Sequence, residues 1–311
     1  FSVLNVKLKY VKKKLKNKLI AQGDVYQLPF SFSLSKNFDS KNETLTSFKI
    51  NNLALEIKNV SKNKDKKIFG NNTIYIKNKK LNTKYEINKN QLSFISKDSK
   101  SKNEINSYNG EIWFNPFNLI SNVNLPKTNL KEIFNIGSFF NEILKTNLLF
   151  NDNISGKIIV NVEKILMSKV FDHCKLFLNF NNKKIDFNES YLIIEKIGSL
   201  NLDDSLISIK KDKLIFYGGF HFRINNKENF FKTFQITKKN RKDIRDIFFD
   251  IEMNFFDNDL EIKNIRTNDG DVISNDAFNS FLDHMNSINI ANKNWIYIKK
   301  ITSKIFANYE G

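Results

Sequence analysis

An alternation of apolar and polar residues recurs along most of this 311-residue chain and constrains its fold more than any other feature. In SFSLSKNF, Phe32 and Leu34 alternate with serine and lysine. In LALEIKNV, Leu53, Leu55 and Ile57 alternate with alanine, glutamate and lysine. A two-residue period places successive side chains on opposite faces of a β-strand. The period returns in TIYIK, KIIVNV, CKLFLNF, KLIFYGGFHF and DIFFDIEMNFF, so the sequence predicts a mainly β protein with a long, curved, antiparallel-rich amphipathic sheet.

Helical spacing is confined to a few segments, which excludes a parallel α/β fold because helices do not alternate with strands. Apolar residues recur at intervals of three and four after Thr128, after Asn275 and from Trp295 onward, and a short polar helical turn is expected near Lys238. The expected organisation is a Lys-rich β section (1–126), an amphipathic helix connector (127–150), a second β section (151–268) and a helical tail (269–311).

The net charge of +17 is concentrated near the amino terminus. Residues 1–100 contain 22 lysines and 7 acidic residues, whereas the rest of the chain contains 28 basic and 26 acidic residues. Only four of the 50 basic residues are arginines, although nucleic-acid sites favour arginine. We interpret the lysines first as a solvated strand face inflated by AT-biased coding, second as a surface for anionic lipid head groups, and third as a nucleic-acid site.

The sequence shows no arrangement of residues that points to catalysis or metal binding. His173, His221 and His284 lie far apart along the chain without cysteine or histidine neighbours at metal-ligand spacing. Cys174 is the only cysteine and alternates with apolar residues, as a core residue would. Gly218 and Gly219 interrupt a strand pattern, where a bulge or bend is expected. We therefore predict a protein that is not an enzyme and that has no cofactor.

The stretch from Gly156 to about Arg266 carries a more specific pattern. It begins with GKIIVNVEKIL and continues through KVFDHCKLFLNF, an acidic turn, and KLIFYGGFHFRI with its Gly-Gly pair. This order resembles the carboxy-terminal part of AsmA-like proteins of Gram-negative envelopes, the group that includes TamB and YhdP. The resemblance covers a little over a third of the chain. Residues 1–125 share only the repeated strands, and their lysine load departs from the family pattern.

The resemblance implies an inner-membrane-associated periplasmic protein whose apolar β groove binds or conducts phospholipid and supports outer-membrane assembly or lipid homeostasis. The chain starts at Phe1, and its apolar runs are shorter than the ~18 residues of a membrane span, so an anchor is expected upstream. The implied partners are phospholipid or acyl chains, the inner membrane and other envelope proteins, and nucleic acid is not expected among them.

The inward positions of the alternating strands are the candidate lining of this groove. The two-residue period places Leu176, Leu178 and Phe180 on one face of their strand, and we expect that face to continue across the strand KIIVNV. The candidate lining residues are Ile158, Val160, Val162, Leu176, Leu178, Phe180, Leu214, Phe216, Phe249 and Ile251.

Two alternatives remain open from the sequence. The same residues suit a sandwich with a closed core, which would make the chain a structural or partner-binding envelope protein without a lipid conduit. A Lys-rich nucleic-acid binder or an unrecognised enzyme is the other alternative, and it would require a pocket with converging polar groups.

Overall fold

The protein is mainly β, as predicted, with antiparallel strand pairing and a few helices that include a carboxy-terminal one. The computed structural model describes residues 3–13, 16–25, 28–37, 43–76, 79–96, 107–129, 139–146, 148–166, 170–257, 259–268, 271–272, 276–288 and 295–309. The chain divides into two compact units, Phe1–Val160 and Asn161–Gly311. The division falls inside a strand, whereas the sequence suggested section boundaries near residues 126 and 150.

The first unit is a meander in which each strand from β1 to β10 pairs antiparallel with the next. An eleventh strand starts beside β10, where the Ser155 hydroxyl donates a hydrogen bond to the Phe117 carbonyl at 2.8 Å. The strands are β1 (Val3–Lys13), β2 (Lys16–Val25), β3 (Leu28–Asn37), β4 (Glu43–Ile50), β5 (Leu55–Lys64), β6 (Lys67–Ile76), β7 (Lys79–Asn88), β8 (Gln91–Ser96), β9 (Ser107–Phe114), β10 (Phe117–Leu125) and β11 (Ser155–Val162).

The strand register gives the first unit one apolar and one polar face. Directly paired residues on successive strands form an apolar row across β3 to β7, and each is half-buried: Phe32, Phe48, Ile57, Ile74 and Leu81. We call this side the apolar face of the first unit. Its reverse, the polar face, carries Glu56, Lys58, Lys80 and Lys84 at the alternate positions of β5 and β7. The predicted alternation therefore places these residues as expected.

One predicted strand begins later than the sequence suggested. Leu53 lies in a short 3₁₀ turn, Asn51–Leu53, and Ala54 follows in the left-handed region with φ 47°, so β5 starts only at Leu55. Leu53 is nevertheless buried, because it packs with Leu28 and Ile50 rather than alternating along a strand. Ile143 of the short helix α1 (Phe139–Leu144) packs against the same cluster. Of the predicted connector helix, residues 130–138 lie outside the described residues, and the helix ends at Leu144 instead of continuing to residue 150.

In the described residues, the second unit contains eight further strands and three helices. All its strand pairs are antiparallel, and β13 and β14 both pair with β12 on one side and with β15 on the other. The elements are β12 (Phe171–Asn181), β13 (Lys184–Asp186), β14 (Tyr191–Ile194), β15 (Gly198–Lys210), β16 (Lys213–Ile224), α2 (Lys227–Phe234), β17 (Asp246–Asn254), β18 (Asp259–Thr267), β19 (Asp271–Val272), α3 (Asp276–Asn286) and α4 (Trp295–Asn308).

The core of the second unit is built from aromatic rings on α2 and α4. Phe230 and Phe234 stack with ring centroids 4.4 Å apart, and Phe306 of α4 lies 5.3 Å from Phe230. Phe230 and Phe306 are fully buried. Such packing contributes both apolar burial and ring-ring attraction. The two helices are thus fixed to each other at this end of the sheet.

Helices α3 and α4 confirm the two predicted tail helices, and a 3₁₀ turn at Lys238–Asn240 confirms the polar turn. Helix α2 was not predicted. Asn226 caps it by accepting a hydrogen bond from the Asn229 amide, and Gln235 ends it in the left-handed region. In the part of the chain that the structure describes, no helix is both long and apolar enough to cross a membrane.

Candidate functional site

An apolar cavity of about 220 Å³ lies in the second unit, between the sheet and α4. Its floor is formed by strands β12 and β14 to β18. Phe220 and Phe249 are directly paired across β16 and β17, and Phe222 pairs with Ile247 beside them. Ile251 continues the same side of β17, since successive alternate residues face the same way. We call this side the apolar face of the second unit.

Helix α4 forms the roof of the cavity. Tyr297, Ile298, Ile301 and Ile305 project from one stripe of the helix onto the floor, at the spacing of three and four that the sequence predicts. Ile301 and Ile305 are buried, whereas Ile298 is 40% exposed, so the cavity reaches solvent near the start of the helix. Burial raises the pKa of the Tyr297 hydroxyl to about 12, and this group therefore stays neutral at physiological pH.

A glycine in the floor gives the aromatic rings room to fold over the sheet. Gly218 lies on the same side of β16 as Phe216 and Phe220, and a Cβ at Gly218 would lie 2.5 Å from Cζ of Phe216 and 3.0 Å from Cε2 of Phe220. The two rings meet edge to face with centroids 6.2 Å apart. Phe216 in turn meets Phe187, so a row of rings leads along the sheet toward the cavity. Gly218 thus serves close packing, and the bulge expected at the glycine pair lies on the neighbouring strand β15, where the register shifts between Asp203 and Leu206 opposite Gly218.

The lining is nearly free of polar atoms. Of sixteen described lining residues, fourteen have wholly apolar side chains, and the other two are Tyr297 and Thr302. The Thr302 hydroxyl donates to the Ile298 carbonyl within α4 at 2.9 Å, so its hydrogen is already used by the helix. The described lining therefore offers mainly hydrocarbon contact.

The reverse of this sheet, the polar face of the second unit, carries basic side chains that contact acidic ones. His221 Nε2 lies 2.6 Å from the Asp246 carboxylate, and its ring stacks on Phe248 with centroids 4.3 Å apart. Lys263 contacts Glu252 and Glu261, and hydrogen bonding to Glu261 is the main reason that its pKa is raised. Because side chains alternate along β16 and β17, these groups lie on the side away from the cavity.

The structure separates the ten predicted lining residues into three groups. Phe249 and Ile251 line the cavity, and Phe216 lies one ring away from it. Val162, Leu178, Phe180 and Leu214 are buried, Leu176 is half-buried on β12, and Ile158 and Val160 are half-buried on β11 in the first unit.

Several cavity residues carried a signal in the sequence without being selected. Phe220 and Phe222 belong to the same alternating strand as Phe216, and the α4 residues form the stripe of a predicted helix. Phe234 belongs to α2, where Asn226 precedes phenylalanines spaced three and four apart, which is the signal of a capped amphipathic helix. Nothing local indicates that these segments meet, because their contacts are distant along the chain.

The described residues contain no group of three or more histidine, cysteine or acidic side chains arranged to hold a metal ion. Among the histidines, His173 pairs with its neighbour Asp172 at 2.9 Å on a partly exposed surface, and His284 lies on the exposed side of α3. Cys174 is buried, and burial raises the pKa of its thiol to about 11. A thiol of this kind is a poor nucleophile at neutral pH.

Comparisons of the chain with protein-family models, with curated proteins and with solved structures found no match. The resemblance to AsmA-like proteins therefore stays a prediction.

Proposed function

We propose that the second unit binds a lipid acyl chain in the cavity between its sheet and α4. The observation that carries this proposal is the composition of the lining, in which hydrocarbon side chains surround about 220 Å³ of space. A dry apolar cavity of ~150 Å³ takes up benzene, so this one has room for a longer hydrocarbon fragment. Ile298, at 40% exposure, marks the end from which a chain would enter.

Chain-length dependence is the property that separates acyl binding from unspecific association. Each methylene group transferred from water to an apolar site contributes about 0.8 kcal/mol. Affinity for saturated fatty acids should therefore rise about fourfold per added methylene and level off once the cavity is filled. Flat affinity across a series from eight to sixteen carbons contradicts the proposal.

The exposed start of α4 offers a matched pair of variants. Ile298 lines the cavity, whereas Ile296 is 62% exposed and does not line it. We expect Ile298→Asp to weaken binding of a fluorescent fatty acid at least tenfold, because a carboxylate at the entrance disfavours hydrocarbon. Ile296→Asp adds the same charge to the same helix and should bind as the parent does. Equal loss in both variants would point to a general effect of charge on α4.

A change on the polar face of the second unit provides a further control. His221→Gln removes the contact with Asp246 on the side of the sheet away from the cavity. Fatty-acid affinity should be unchanged in this variant, even if its unfolding midpoint shifts to a slightly lower denaturant concentration. Loss of binding in folded His221→Gln protein would contradict the proposal, because it would place the fatty-acid site on the polar face of the sheet and not in the cavity.

The wider role proposed for the chain is that of an AsmA-like envelope protein. In this proposal the protein is periplasmic and associated with the inner membrane, and it handles phospholipid during outer-membrane assembly or lipid homeostasis. Its support is the sequence resemblance together with the apolar cavity. Protein purified from envelope membranes should carry phospholipid or fatty acid in organic extracts above the level of a washed control, as measured by mass spectrometry.

A filled core is the second candidate, and the ring cluster of α2 and α4 favours it. Phe230 packs against both Phe234 and Phe306, and all three side chains are buried, as expected for a structural or partner-binding β protein. This candidate predicts no saturable fatty-acid binding and no difference between the Ile298→Asp and Ile296→Asp variants. The fluorescence titration therefore decides between the two.

A further inference from the structure

The lysines of the first unit are segregated onto one side of its sheet. The register of β1 to β7 places ten described lysines on the polar face, whereas Lys12, Lys36 and Lys79 lie on the apolar side of the same strands. In an amphipathic sheet the apolar face disfavours lysine, so lysines collect on the opposite face. The result here is a broad surface with a positive charge on most of its strands.

Glutamates neutralise only part of this surface. Lys49 and Lys58 share Glu56, at 3.1 and 3.5 Å, and Lys62 and Lys67 contact Glu43 and Glu86. No carboxylate lies within 4 Å of Lys9, Lys18 or Lys84 among the residues that the structure describes. The polar face of the second unit differs, because its Lys263 and His221 both contact acidic side chains.

Aliphatic side chains stand exposed among these lysines. Val60 and Ile95 are 39% and 51% exposed, and both lie on the polar face in one cross-strand row, with Asn71 and Lys84 between them. Phe69 is exposed on the same side of β6, two residues before Asn71, which is the direct partner of Val60. Val60, Phe69 and Ile95, together with the lysines around them, therefore offer a partner both hydrocarbon contact and positive charge, and we call this set of residues the patch.

The chemistry of the patch selects one partner class. Single-stranded nucleic acid is held by arginine and by several aromatic rings that stack on successive bases, but residues 1–160 contain no arginine, and of Val60, Phe69 and Ile95 only Phe69 has a ring that can stack. Lysines combined with aliphatic side chains match the surface of an anionic bilayer, where head groups attract the charges and the interface accepts the apolar tips.

We propose that the polar face of the first unit docks on a bilayer surface that carries anionic head groups, with Val60 and Ile95 entering the interface. The attraction acts over about a Debye length, ~10 Å at 0.1 M salt, so it is strong only at contact. This docking surface is separate from the cavity of the second unit and does not depend on its occupant.

The test is sedimentation of the full chain with vesicles of phosphatidylcholine containing phosphatidylglycerol. We expect binding that falls as salt rises and that is absent with pure phosphatidylcholine. The variant Lys9→Gln, Lys18→Gln, Lys84→Gln should lose about a hundredfold in affinity, given the usual contribution of each lysine near an anionic surface. The control variant Lys12→Gln, Lys36→Gln, Lys79→Gln removes the same charge from the opposite side and should stay within a few-fold of the parent.

Two further arms complete the test. Val60→Ser with Ile95→Ser should weaken vesicle binding about tenfold, whereas Ile209→Ser, at a position of the second unit about as exposed as Val60, should not. Equal loss in the two lysine variants overturns the proposal, because it would mean that net charge alone drives binding. Tighter binding to a single-stranded DNA oligonucleotide than to the vesicles would also overturn it, in favour of a nucleic-acid surface.

Discussion

Phe220 and Phe249 stack across neighbouring strands with ring centroids 5.2 Å apart and ring planes within 3° of each other. The two residues are directly paired in the register of β16 and β17, and both line the cavity. Cross-strand aromatic pairs stabilise a sheet beyond the area they bury. This pair therefore fixes two neighbouring strands of the cavity floor to each other.

The stacking of Phe220 on Phe249 should appear as a coupling energy. We expect the single changes Phe220→Leu and Phe249→Leu each to lower the free energy of unfolding, and the double change to lower it by less than the sum. The expected coupling is about 0.5–1.5 kcal/mol, measured by urea unfolding in a double-mutant cycle. Strict additivity would mean that the rings contribute only through apolar burial.

The strands were predictable because their signal is local. A two-residue period in Phe216, Phe220 and Phe222 requires no knowledge of the rest of the chain, and the structure places all three on one side of β16. The cavity was not predictable in the same way. Leu214 and Phe249 share the same alternation, yet Leu214 is 1% exposed and Phe249 lines open space, because burial depends on which distant segment covers each strand.

The roof shows the same limit. The stripe of Ile298, Ile301 and Ile305 predicts a helix with one buried side, but it does not tell which strands the helix covers. About fifty residues separate α4 from Phe249 along the chain, and residues 289–294 lie outside the described part. Predicting the site would therefore have required knowing that α4 packs on the strand of Phe249, and neither segment shows this contact in its own sequence.

The two adjacent glycines of β16 should respond differently to alanine. A Cβ at Gly219 would lie 2.7 Å from the backbone carbonyl oxygen of Asp203, whereas at Gly218 the nearest atoms belong to the ends of two rings. Rings can rotate, but a backbone carbonyl moves only with its strand. We expect Gly219→Ala to lower the free energy of unfolding by about 1–3 kcal/mol and Gly218→Ala by less, both measured by urea denaturation. The reverse order would show that the rings are the more rigid neighbours.

Cys174 should make stability depend on alkaline pH. Burial raises its pKa from 9.0 to about 11, so between these values the folded chain keeps a proton that the unfolded chain has lost. A raised pKa of an acid means that stability is lost as pH rises, here by about 2–3 kcal/mol between pH 9 and 11.

The matched variant for this effect is Cys174→Ala, which removes the titrating thiol. Lysines also titrate in this range, so the informative quantity is the difference between parent and variant in urea unfolding at pH 8, 9, 10 and 11. The parent should lose more stability than the variant. Parallel curves would show that the thiol titrates alike in both states. Iodoacetamide should also modify native protein slowly at pH 8 and unfolded protein rapidly.

The cap of α2 connects a local hydrogen bond to the cavity. The Asn226 side chain accepts from the Asn229 amide at 3.0 Å, and the helix that it starts carries Phe230 and Phe234 into the core. Asn226→Ala should lower the free energy of unfolding by about 1 kcal/mol, whereas Asn226→Asp keeps an acceptor and should retain most of it. The adjacent change Asn225→Ala is the control, with little effect expected. Because Phe234 of α2 also lines the cavity, the Asn226→Ala variant should weaken fatty-acid binding as well. Unchanged affinity would show that the cavity keeps its shape without the cap of α2.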